Sequence, residues 1–145
     1  VDINVCCMQC IQTVRDYSLR KLDIRFEPEC AQLPVNTSCL LLSKALTELL
    51  RNAARFAPDG RSTLAYTLIS YKKRIAFTVT DRGPGIPTAE AGRIFDRFVK
   101  LAPFSQGMGL GLAVCRLIAG ALGGGVELDT SYTEGARFTL TIPIV

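Results

Sequence analysis

Apolar residues recur along this chain at two spacings, and the switches between them outline its elements. Residues 1–6 alternate as a short strand would. Over residues 7–21, Met8, Ile11, Val14, Tyr17 and then Leu22 follow helical spacing. Leu22-Asp23-Ile24-Arg25-Phe26 alternates strictly and stops at Pro28, the pattern of a half-buried strand. A long helix is expected next, capped by Asn36, Thr37 or Ser38, running to about Ala57 and ended by Pro58-Asp59-Gly60. Thr63–Ile69 and Arg74–Thr80 read as strands of a hairpin turned at Tyr71-Lys72-Lys73. Residues 81–109 hold most of the glycine and proline and should be irregular, with a short helix near Ala89–Phe95. Leu110–Leu122 returns to helical spacing and closes at Gly123-Gly124-Gly125, and Val126–Thr130 and Arg137–Ile144 complete the chain as strands. Helices and hairpins mix without a regular βαβ alternation. The fold class is therefore α/β, a two-layer sandwich with a mixed sheet on about three helices.

At 145 residues the chain suits one domain whose core needs no metal or disulfide to be stable. Apolar runs such as Leu40-Leu41-Leu42 are too short to cross a bilayer, and Val1-Asp2-Ile3-Asn4 carries no signal-peptide pattern and looks like a cut edge. A net charge of +4 suits a polyphosphate ligand and is too mild to argue for nucleic acid. The chain has 6 cysteines and no histidine, so a zinc site lacks its partners and the cysteines read as reduced, buried thiols in a reducing compartment. The missing histidine also excludes Ser-His-Asp, Cys-His and any imidazole proton transfer within the chain.

Three segments carry candidate chemistry. On the long helix Glu48, Asn52 and Arg55 lie at i, i+4 and i+7 and share a stripe, opposite Leu46, Leu49, Leu50 and Ala53. Alone, such a stripe is most often a solvated face. It is also what a magnesium triphosphate needs: a neutral amide oxygen for the metal, a cation for phosphate and a carboxylate to polarise an attacking group. Asp81 ends a strand and opens a turn with Gly83 and Gly85. Its carboxylate only accepts, which selects the 6-amino group of adenine over the carbonyl of guanine. A plain Asp-x-Gly turn is the other reading. Gly107-Met108-Gly109-Leu110-Gly111-Leu112 leads into a helix whose free N–H groups suit phosphate. It is neither a dinucleotide fingerprint nor a P-loop. The order of the three segments is what makes a nucleotide site.

Together these segments resemble the catalytic and ATP-binding domain of bacterial sensor histidine kinases, the Bergerat fold shared with type II topoisomerases, heat-shock chaperones and mismatch-repair ATPases. Glu48–Pro58 resembles the N box, Asp81–Gly85 the G1 box, Ile94-Phe95-Asp96-Arg97-Phe98 the F box and Gly107–Leu112 the G2 box. Gly135-Ala136-Arg137-Phe138 with Pro143 resembles the closing motif, with Ala136 where Ser or Thr is frequent. The resemblance implies one domain over residues 1–145. It implies that Asn52 ligates Mg²⁺, Asp81 binds the adenine amino group, Arg55 contacts phosphate and Phe56 lies beside adenine. Glu48, acidic where asparagine is common, would act as polarising base or orienter of the Mg²⁺ shell. Ile86, Lys100 of a lid at residues 99–106, Gly107, Gly109, Leu110, Gly111 and Leu112 complete the implied ATP site. The implied activity is transfer of the γ-phosphate of Mg²⁺·ATP to a histidine on a separate helical dimerisation domain, with a response regulator downstream. Such a fragment is expected to be monomeric and cytoplasmic, within a homodimeric inner-membrane sensor. The alternatives are a serine kinase of the anti-sigma-factor type, a non-catalytic nucleotide-binding module, and a plain structural domain.

Overall fold

Three helices cover one face of a five-stranded sheet in the computed structural model, which describes residues 1–86, 89, 92–96 and 111–144. The elements in chain order are α1 (Ile3–Tyr17), β1 (Asp23–Glu27), α2 (Cys39–Phe56), β2 (Arg61–Ile69), β3 (Arg74–Asp81), α3 (Gly111–Ala121), β4 (Gly125–Leu128) and β5 (Arg137–Pro143). The sheet order is β1-β2-β3-β5-β4; β1 runs parallel to β2 and every other pair is antiparallel. This is the expected two-layer sandwich with a mixed sheet.

Alternation decides which face of each strand is covered. Leu64 and Tyr66 of β2, Ile75, Phe77 and Val79 of β3, and Phe138, Leu140 and Ile142 of β5 are all buried under the helices. The opposite register, including Thr63, Thr78, Thr80 and Thr139, lines a broad polar concavity on the open face. From the helices, Leu42, Leu46, Leu49 and Leu50 of α2, Ile3, Ile11 and Val14 of α1, and Cys115 and Ile118 of α3 complete one core. Ser38 caps α2 by accepting from the N–H of Leu41 at 3.2 Å, one of the three capping residues anticipated. Gly123, at φ 86°, closes α3 as expected of a glycine there.

Four expectations need correction. Residues 1–6 are not a strand, because Asp2 caps α1 by accepting from the N–H of Asn4 at 2.9 Å and the helix begins at Ile3. That helix stops at Tyr17 rather than residue 21, and Met8 and Tyr17 point outward while Cys6, Cys7 and Cys10 take the inward positions. The described residues between 89 and 95 form turns, not a short helix. The cysteines are not all reduced: Cys6 and Cys39 form a disulfide across the start of α1 and α2, with Cα atoms 6.2 Å apart. Their proximity follows from α1 packing along α2, which no local signal announces. Cys7, Cys10 and Cys115 are buried free thiols, and burial pushes Cys7 and Cys115 up to about 12.

Candidate functional site

The end of α2 and the turn after β3 meet at a hollow of about 40 Å³ lined by Asn52, Phe56, Asp81, Pro84, Gly85, Ile86 and Ala136. Asn52 reaches it because it sits on the edge of the α2 face that packs on the sheet. It is only 9% exposed, makes no side-chain hydrogen bond among the described residues, and keeps its amide atoms open to solvent, since no buried side-chain polar atom there lacks a partner. An amide that faces the hollow in this way is free to bond water or a ligand. Phe56, on the next turn, supplies an apolar wall.

Asp81 is 4% exposed at the last position of β3. Its Oδ1 accepts from the N–H of Gly83 at 2.8 Å and of Ala136 at 3.4 Å. Among the described residues no group donates to Oδ2. Burial raises its pKa above the ordinary carboxylate value, and the two backbone donors oppose that rise. Three backbones converge here. A Cβ on Gly83 would stand 2.6 Å from the carbonyl oxygen of Phe56, and one on Gly135 would stand 2.0 Å from that of Asp81. Gly85 takes φ 75° and packs against the Gly135 carbonyl. The glycines thus let the Asp81–Ile86 turn seat between the end of α2 and the start of β5, with the carboxylate facing inward.

Glu48 lies two turns before Phe56 and points to the N-terminus of α3. A Cβ on Gly111 would come within 2.8 Å of its Oε2, while Oε1 is 3.4 Å from Nη1 of Arg51. A carboxylate beside the free N–H groups of a helix start is favourably placed. Arg55 is exposed and lines a separate groove toward α1, so it does not reach the hollow in this conformation. Leu112 is buried in the core and Gly111 opens α3. Lys100, Gly107, Gly109 and Leu110, with Arg97, Phe98 and the lid at 99–106, lie outside the described residues. In the described part of the F box Ile94 is buried, Phe95 meets the Phe138 ring edge-on at 6.0 Å, and Asp96 is exposed 3.6 Å from Arg116.

Two contributors were not anticipated. Pro84 lines the hollow, and the Tyr132 hydroxyl donates to the Asp81 carbonyl at 3.3 Å. Tyr132 is itself held 4.3 Å from the guanidinium of Arg137, which donates to Thr80 at 3.1 Å. Pro84 could have been read from its place between two glycines. Nothing in the sequence marks Tyr132, because its link to Asp81 spans 51 residues.

Glycines that admit backbone, a buried acceptor-only carboxylate and an unbonded amide make a site for a flat, amino-bearing ligand. Comparison with known proteins gives the family. The histidine kinase-, DNA gyrase B-, and HSP90-like ATPase family matches residues 39–145. The sensor protein RstB of Escherichia coli strain K12 is 40% identical over 108 residues, covering 72% of this chain and 24% of RstB. The sensor protein ChvG of Agrobacterium fabrum is 36% identical over 118 residues, covering 75% of this chain and 20% of ChvG. The chain thus spans about a quarter or less of the length of these curated relatives. The mycobacterial sensor histidine kinase MprB superposes with a TM-score of 0.84 at 28% identity, covering 99% of this chain and 97% of that one. Full-length ShkA in complex with AMPPNP gives 0.87 at 27% identity, covering 100% of this chain and 30% of that one. Among the described residues no helix is long and apolar enough to cross a membrane. The chain belongs to the histidine kinase-, DNA gyrase B- and HSP90-like ATPase family, on its sensor histidine kinase branch.

Proposed function

We propose that residues 1–145 act as one catalytic domain that binds Mg²⁺·ATP and delivers its γ-phosphate to a histidine on a separate helical dimerisation domain. The observation that carries this reading is the shared hollow of Asp81 and Asn52. Asp81 Oδ2 accepts the adenine amino group, Phe56 and Ile86 flank the ring, and Gly83 and Gly85 let backbone approach its edge. The AMPPNP complex of ShkA supports a nucleotide in this fold.

Among the described residues no cluster of three acidic, cysteine or histidine side chains could hold a metal. Magnesium therefore suits this site only as a phosphate-bound ion, for which the Asn52 amide oxygen is a fitting ligand. When bound, magnesium would neutralise triphosphate charge. Glu48, between Asn52 and the start of α3, orients groups at the phosphate end, where the N–H groups of α3 complement negative charge. Arg55 supplies a further cation once its side chain swings toward the phosphates. Lys100, Gly107, Gly109 and Leu110 would close the site from the lid side. The domain positions reactants and neutralises charge, and forms no covalent intermediate of its own. With no histidine in this chain, the acceptor belongs to another domain or subunit. In the intact sensor we infer a homodimer with this domain monomeric when isolated, on the cytoplasmic side of the inner membrane, serving a response regulator.

Calorimetric titration with ATP and GTP, each with and without magnesium, tests the reading. ATP binding that is strengthened by magnesium and absent for GTP supports it. Equal binding of both purines, or of neither, refutes the assignment of Asp81. Phosphate transfer to an added histidine-bearing helical domain separates a kinase from a nucleotide sensor.

A further inference from the structure

Away from the hollow, α2 carries Lys44, Arg51 and Arg55 at i, i+7 and i+11, all exposed. At about 100° per residue these three share one side of the helix, over a length of roughly 17 Å. The stripe borders a groove of about 940 Å³ between α2 and the last turn of α1, where Arg51 and Arg55 face Tyr17 and Leu19. Tyr17 is 85% exposed and Leu19 fully so. No carboxylate lines the groove among the described residues. Of the nearby acids, Asp16 accepts from Gln12 at 2.7 Å, while Glu48 lies outside the groove and pairs with Arg51 from the side at 3.4 Å. Among the described residues neither Lys44 nor Arg55 has an acidic partner. The remaining cation, Arg20, donates to the carbonyls of Ala54, Ala57 and Pro58 and so forms the floor of the groove.

Scattered apolar side chains on a surface are ordinary. A pair of them flanking two exposed arginines, in a groove whose lining holds no carboxylate among the described residues, is more specific. Arg51 and Arg55, one turn apart, match carboxylates at i and i+4 of a helix lying along the groove, and each guanidinium can bind a carboxylate through two N–H groups. Tyr17 and Leu19 then meet the apolar side of the same helix. We propose that the α1–α2 groove is a docking surface for an acidic amphipathic helix of a partner protein or domain. Tyr17, Leu19 and Arg51 take no part in the hollow, so only Arg55 is shared between the two surfaces.

The test titrates the isotopically labelled chain with a synthetic helical peptide bearing glutamates at i and i+4 beside a leucine stripe. A lysine counterpart and inorganic polyphosphate serve as the other probes. The glutamate peptide is expected to shift amides over residues 13–20 and 47–55, and to bind about tenfold more weakly when salt rises from about 50 to about 200 mM. Leu19→Asp and Arg51→Glu, both at exposed positions, are each expected to weaken the peptide by about fivefold or more with unchanged melting. Leu19→Asp should also leave an ATP titration unaltered. Equal binding of the lysine peptide, or indifference to Leu19→Asp, overturns the proposal. So does polyphosphate shifting these amides while the glutamate peptide does not, since the groove would then be a plain anion site.

Discussion

On one side of the last turns of α2, Asn52 and Phe56 are walled in by the Asp81–Ile86 turn. A fraction of a turn away, Arg51 and Arg55 stand in solvent over the α1 groove. The two sides differ in what fixes them. The walled side is held by backbone: three chain segments so close that a single Cβ would collide, and a carboxylate bound by main-chain N–H groups. The open side is held by long side chains that can rearrange. A substitution on the first side should disturb fold and ligand together or ligand alone, depending on whether it touches main chain. On the second side, changes at the exposed Leu19 or Arg51 should disturb chiefly what docks there.

The largest expected effect tests the main-chain convergence. Gly135→Val pushes a side chain into the Asp81 carbonyl and should destabilise the domain by more than about 3 kcal/mol, read as the midpoint of urea unfolding. A loss below about 1 kcal/mol would mean the segments can part easily. Next, Asp81→Asn should lower ATP affinity roughly tenfold to hundredfold, because it removes a charged acceptor.

That same variant separates ligand from fold through pH. Burial raises the folded-state pKa of Asp81 above its ordinary value of 3.8, so its contribution to stability is fully present below that value. The contribution is lost as pH rises through the raised folded-state value. Asp81→Asn should flatten this part of the stability–pH profile and leave the free protein at neutral pH as stable as the parent or more so. Thermal melts across that window check it, and an unchanged profile would deny that Asp81 titrates abnormally.

Smaller effects sharpen the contrast. Asn52→Ala should abolish the magnesium dependence of nucleotide binding in calorimetry while shifting stability by less than about 1 kcal/mol, since its side chain makes no hydrogen bond among the described residues. Arg20→Ala removes donors to the carbonyls at the end of α2 and should cost about 1 kcal/mol, seen as a melting shift of roughly 2–4 °C. Smallest of all, Arg51→Glu should change unfolding free energy by less than about 0.5 kcal/mol, because its ion pair with Glu48 among the described residues is open to solvent.

How far these features could be read beforehand follows the range of the interactions. The span of α2 and its cap at Ser38 were legible, since capping and helical spacing are local. Asp81 and the glycines of its turn were legible as residue types; their crowding against Phe56 and Gly135 was not, because it joins three distant segments. The start of α1 was misread because Val1, Ile3 and Val5 mimic a strand, while the inward positions are filled by Cys6, Cys7 and Cys10. Counted as apolar, those cysteines restore the helical repeat through Ile11 and Val14. Arg20 carried no signal, because a guanidinium reaching carbonyls 34 and 38 residues away depends on how the loop after α1 folds back. Arg55 shares its helical stripe with Asn52 yet faces the other groove. A stripe drawn at 100° per residue is wide enough to straddle two surfaces.

The parallel pairing of β1 with β2 has a consequence for how this molecule comes together. Parallel neighbours cannot be joined by a tight turn, and here the connection is the whole of residues 28–60, with α2 inside it. The first strand can add to the sheet edge only when that helix has settled onto the layer beneath. The ladder Asp23–Arg61 to Glu27–Ala65 and the wall bearing Asn52 therefore depend on the same connection. Amide exchange in β1, two strands from Asp81, would then slow as nucleotide binds, making that outer edge a gauge of whether the pocket is filled.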